Sequence, residues 1–165
     1  MTSLRVRLPL LAATVVLSLS AWPVLADKPA WTPIAELLVG SLGEADPARM
    51  ADVMTRCTAL NMTLSGMAAD FSEDMTLFYK NSAARFIEHS VQIESHIVRE
   101  ATGAEADLDV LSSALIERVK TLLTGYDQWL DDNIATGGTY FSNDFNMEMN
   151  SCHLASRFVN QVSTE

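Results

Sequence analysis

The sequence predicts an all-α protein: an antiparallel up-down four-helix bundle with a short N-terminal arm or helix, its first and last helices joined by a disulfide. Three observations carry this. Four long stretches have apolar residues at alternating steps of three and four, the period of one buried helix face. No stretch alternates apolar and polar residues as a half-buried strand does. The two cysteines, Cys57 and Cys152, fall on the apolar sides of the first and last of these stretches.

Residues 1–26 read as a secretory signal and so lie outside the fold. Arg5 and Arg7 form a basic head, Leu8 to Leu19 an apolar or small run, and Val24-Leu25-Ala26 a cleavage tripeptide after Pro23. The run is shorter than the roughly 20 residues a membrane span prefers. Export to the periplasm or the extracellular space is therefore expected, with no stable membrane insertion once the signal is cut. Residues 27–45 form the arm or short helix, in which Trp31, Ile34, Leu37 and Leu38 can share a side. Residues 46–165 form the bundle domain.

The helix starts are written in the caps. Asp46 followed by Pro47 opens the first long helix, since Asp caps the first N–H groups and Pro tolerates the first helical position. Its stripe is Met50, Val53, Cys57, Leu60, Leu64, Met67 and Phe71. Ser72 caps the second, with Glu73 and Asp74 complementing the positive end of the helix dipole. That stripe runs Met75, Tyr79, Ala83, Phe86, Ser90, Ile93 and Ile97, and Thr102-Gly103 closes it. Asp107 opens the third helix, which carries Leu108, Leu111, Leu115, Val119, Leu122, Tyr126 and Trp129 and ends at Gly137-Gly138. The last begins near Asn143 or Asp144, with Phe145, Met149, Cys152, Ala155, Val159 and Val162 inward. In an up-down bundle the first and fourth helices are neighbours. In an oxidising compartment Cys57 and Cys152 then pair most simply as one disulfide. The alternative is two buried thiols that do not meet.

The chain has a formal net charge of −10. Loss of Arg5 and Arg7 leaves nine basic residues against 21 acidic ones. Such a surface repels nucleic acid and anionic lipid. It suits a soluble protein or one that meets cationic partners; the expected partner is an envelope protein or a small molecule. No phosphate loop, nucleophile elbow, zinc-protease or EF-hand motif is present, and this tilts the reading away from an enzyme.

Few residues carry chemistry. His89 and His96 lie seven apart on the second helix, Glu100 is four beyond His96, and His153 is on the last helix. Together they are a candidate metal set, against the plainer reading of boundary histidines. Tyr140 and Phe141 sit in the polar connection before the last helix and form a candidate partner contact, against local packing over the helix ends. The methionines read as core filler, and Asp127, Asp131 and Asp132 as a solvated face. Met149-Asn150-Ser151-Cys152-His153 contains the second Cys and the His of the haem-attachment pattern Cys-x-x-Cys-His, with Met149 in place of the first Cys. On the last helix of a bundle, this resembles the four-helix cytochromes c-prime. The resemblance covers the fold class, Cys152 and His153. It implies haem held by Cys152 with His153 as axial ligand, and Cys57 competes for the same sulfur. No cofactor is required by the rest of the chain. The expected role is a non-enzymatic binding or accessory protein of the periplasm or cell envelope. The alternative is a metal- or haem-binding redox bundle using Cys152, His153, His89 and His96.

Overall fold

The computed structural model describes residues 31–44 and 46–162, with side chains as far as Arg157. The signal segment lies outside these residues. Five helices occur in order: α1 (Ile34–Glu44), α2 (Pro47–Ala68), α3 (Glu73–Thr102), α4 (Leu108–Gly137) and α5 (Asn143–Val162). No strand occurs among the described residues.

The caps form as their chemistry requires. The Asp46 carboxylate accepts from the N–H groups of Ala48 and Arg49 at 3.0 and 3.3 Å. Ser72 Oγ accepts from Met75 N at 3.2 Å. Asp107 accepts from Asp109 and Val110 at 3.0 and 3.2 Å. Gly103 and Gly138 end α3 and α4 at φ +70° and +67°, a left-handed conformation that costs glycine little.

The helix α2 is the axis of the fold. From Val53 to Asn61 every residue is buried, so neighbours cover it on all sides. α3 packs against it most extensively. Small residues permit that approach: Ala51 and Thr55 of α2 are buried, as are Ala83 and Ser90 of α3. Thr55 Oγ1 donates to Ala51 O at 2.8 Å and lies 3.0 Å from Ser90 Oγ, which satisfies the hydroxyls inside the contact. α4, α1 and α5 complete the sheath around α2, while the α-carbons of α4 and α5 do not approach within 8 Å of each other. The two helices meet instead through long aromatic side chains. Trp129 and Phe145 have ring centroids 5.2 Å apart, and Tyr126 and Phe145 6.2 Å.

α1 is part of the body. Ile34 is fully buried and Leu38 nearly so, in the same apolar cluster as Val53, Leu60, Leu115, Tyr126 and Phe145. The inward stripes hold along most of their length and fail near some helix ends. Phe71, Met75 and Leu108 are exposed, Phe71 to 88%. Phe71 falls in the turn after α2, which ends at Ala68, and Met75 and Leu108 stand in the first turns of α3 and α4.

Cys57 and Cys152 are joined by a disulfide, with their α-carbons 5.4 Å apart. Both are buried. The bond ties the axial helix α2 to α5.

Candidate binding cleft beside a buried ion pair

One residue before Cys57 on α2 stands Arg56, and one turn before Cys152 on α5 stands Glu148. Their side chains are 8% and 4% exposed and form a buried salt bridge. A charge removed from water to this degree requires a full set of partners. Glu148 Oε1 accepts from Ile34 N at 2.9 Å, and Oε2 accepts from Arg56 and, at 3.2 Å, from the Tyr126 hydroxyl. Ile34 is the first residue of α1, so Glu148 serves as an N-terminal cap supplied by another helix. Arg56 donates in turn to the carbonyl oxygen of Thr32. The pair thus fastens the segment leading into α1 onto α2, α4 and α5. Burial raises the Tyr126 hydroxyl well above its ordinary pKa, with Arg56 opposing the rise and Glu148 adding to it. The phenol therefore keeps its proton and donates to the carboxylate.

Trp31 covers this network. Its ring lies over the Arg56 guanidinium at 5.1 Å, a cation–π distance. It meets Tyr126 edge-on, with centroids 4.9 Å apart. A glycine makes room for it: a Cβ on Gly125 would sit 2.5 Å from Trp31 Cζ2.

Outside this cover lies a cleft of about 410 Å³ lined by Trp31, Thr32, Leu37, Asp52, Thr55, Arg56, Arg118, Thr121 and Leu122. Such a volume lies within the usual range for small-molecule sites. Asp52 and Arg56 project from α2 one turn apart, and Arg118 comes from α4, where it also pairs with Glu94 of α3. Burial pushes the Asp52 carboxyl above its ordinary pKa; Arg118 opposes this, Glu94 adds to it, Arg56 opposes it and Asp46 adds to it. Among the described residues, Arg56 Nε is the buried side-chain nitrogen or oxygen atom that lacks a hydrogen-bond partner.

The sequence-derived candidates stand elsewhere. His96 is exposed on α3, its Nδ1 3.2 Å from Arg99, and Glu100 is exposed beyond it. His89 is half-buried two turns earlier. His153 lies at a different depression, with Phe78, Tyr79 and Ser82 of α3 and Met149 of α5. Among the described residues no three His, Cys, Asp or Glu side chains come together as a metal-holding group. The Cys152 sulfur is bonded to Cys57 and is not available for a thioether. Tyr140 and Phe141 are 48% and 40% exposed. The Phe141 ring is 5.6 Å from that of Phe145, and the Tyr140 carbonyl accepts from Asn133 Nδ2 at 2.9 Å. The connection is thus packed over the helix ends while both rings keep an exposed side.

Sequence reasoning missed Arg56 and Glu148. The signal was present: Glu148 is three residues after Phe145 and four before Cys152, a position on the inward face. No protein-family model, curated protein or solved structure matches this chain.

Proposed function

We propose that this chain is an exported helical protein of the periplasm or extracellular space that acts by binding rather than by catalysis, with the cleft between Trp31, Arg56, Arg118 and Leu122 as its binding site. The observation that carries the reading is the cleft itself: apolar walls with a few charged groups converging on one opening, the usual make-up of a small-molecule site. The disulfide supports the compartment, since such bonds persist where the surroundings oxidise. Part of the up-and-down chain course belongs to this reading. The short connections at 69–72 and 103–107 support it by returning α3 beside α2 and α4 beside α3.

The test has two arms. The full chain, expressed in a bacterium with an oxidising envelope, should be recovered outside the cytoplasm, starting near Asp27 and with no thiol open to alkylation. Full-length protein in the cytosol with two alkylatable thiols would overturn the export. A library of small amphiphiles, screened by NMR on the recovered protein, should shift resonances of Trp31, Thr55 and Leu122. Hits that map elsewhere, or no hits, would overturn the cleft as the site.

A further inference from the structure

The make-up of the cleft narrows its ligand, on the footing that the cleft is the binding site. Three lining groups are charged, and their signs differ: Asp52 is a carboxylate, Arg56 and Arg118 are guanidinium ions. Their positions are set by helices, with Asp52 and Arg56 on one face of α2 and Arg118 across the opening on α4. The Arg56 side chain is more than nine-tenths buried, lines this cleft and retains an unpartnered Nε. That Nε has essentially no accessible area, so a ligand in the cleft feels Arg56 through its charge, whereas the Arg118 guanidinium, 45% exposed, presents its N–H donors directly. The remaining wall is apolar: Trp31, Leu37 and Leu122.

Simple ions are poorly matched to this arrangement. A monoanion approaches a chain of net charge −10 and meets Asp52 at the opening. A monocation satisfies Asp52 but offers no acceptor to the N–H groups of Arg118, whose charge Glu94 already partly offsets. A ligand bearing one charge of each sign, close together, avoids both penalties and satisfies both kinds of group. The apolar wall asks for an apolar substituent on the same small molecule. We infer that the cleft takes a small zwitterion with an apolar side chain, of the class of free hydrophobic α-amino acids. Its carboxylate lies toward Arg118 and Arg56, its ammonium toward Asp52, and its side chain against Trp31, Leu37 and Leu122.

The test uses the oxidised, signal-free protein and follows the Trp31 indole N–H resonance, assigned with Trp31→Phe. L-leucine and L-phenylalanine are titrated beside glycine, N-acetyl-L-leucine, L-leucinamide and hexanoate. Leucine or phenylalanine should saturate the shift. Each comparator lacks one feature, either a charge or the apolar chain, and should bind about tenfold or more weakly, as expected when a site's polar group loses its partner. Asp52→Asn, on an exposed position of α2, should weaken leucine by about tenfold while leaving N-acetyl-leucine unchanged. If N-acetyl-leucine or hexanoate binds as tightly as leucine, the zwitterion is wrong and the cleft stands. The zwitterion also fails, and the cleft stands, if no amino acid binds while the amphiphile library still maps to Trp31. If nothing shifts Trp31, both fall.

Discussion

Glu148 works at the scale of single residues. Its carboxylate neutralises Arg56, caps the first N–H of α1 and takes the Tyr126 proton donor. Removing one member of a buried pair leaves the other charge unpaired, which costs about 3–5 kcal/mol. Glu148→Gln keeps the shape and an acceptor for Ile34 N but strands the Arg56 charge. Urea unfolding should show a loss of about that size, and Arg56→Met in the same background should recover part of it. A loss that merely adds for the two changes would mean that the groups are not coupled. Tyr126 makes the network sensitive to alkali. Its folded pKa is raised above the ordinary 10.0 by burial first, with Arg56 opposing and Glu148 adding. Below pH 10 both folded and unfolded chains keep the phenolic proton, and the hydroxyl's contribution is fully present. Above it the unfolded chain loses the proton and the folded chain does not, so stability falls as pH rises, by about 1.4 kcal/mol per unit at most. Tyr126→Phe should remove that part of the alkaline slope, and an unchanged slope would contradict the assignment.

At the scale of elements, two contacts decide how helices meet, and Gly125 governs one. Inside a helix, Gly→Ala ordinarily gains about 1 kcal/mol. Here the new Cβ would lie 2.5 Å from the Trp31 ring, which Arg56 and Tyr126 hold in place. Overpacking of this kind costs about 1–3 kcal/mol. Gly125→Ala should therefore destabilise the protein and shift Trp31 emission to the red, whereas a rise in melting temperature would show that Trp31 yields freely. The second contact is the disulfide, which closes a separation of 95 residues. The chain-entropy argument gives it about 4–5 kcal/mol. Cys57→Ser should lower stability by up to that amount under oxidising conditions, measured by denaturant unfolding. Much of this scale was legible from sequence, because caps and inward cysteines are local patterns: Asp46, Ser72, Asp107, Gly103, Gly138, Cys57 and Cys152 all stand as expected. The arrangement around α2 was not. A stripe at steps of three and four reports one covered face, whereas α2 is also buried at Thr55, Thr58, Asn61 and Ser65; Thr55, Thr58 and Asn61 bond to carbonyls of their own helix, and Thr55 also meets Ser90 of α3. Arg56 and Glu148 were hidden for a related reason. A buried charge reads as a surface charge until its partner, 92 residues away, is placed beside it.

For the molecule as a whole, the attachments of the helices to α2 are unequal in kind. α3 is held by a long, closely packed interface rich in small side chains. α5 has a much shorter backbone approach to α2, and there the disulfide and the Arg56–Glu148 bridge lie about one turn apart. α1 depends on the same bridge, because its first N–H is capped by Glu148 and the carbonyl before it is held by Arg56. α2 and α3, with α4 against them, form the most closely packed unit, while α1 and α5 join it through the apolar contacts of Ile34, Leu38 and Phe145 and share one polar junction, the Arg56–Glu148 bridge beside the disulfide. Local opening follows the weaker attachments. Reduction of Cys57–Cys152 should therefore lower amide-exchange protection in α1 and α5 together, while α2 and α3 keep most of theirs. Hydrogen exchange followed by mass spectrometry, on oxidised and reduced protein at the same pH, separates the cases. Uniform loss across all five helices would mean one cooperative unit. Loss confined to α5 would mean that α1 is held by Ile34 and Leu38 in the apolar core and does not need the Glu148 cap.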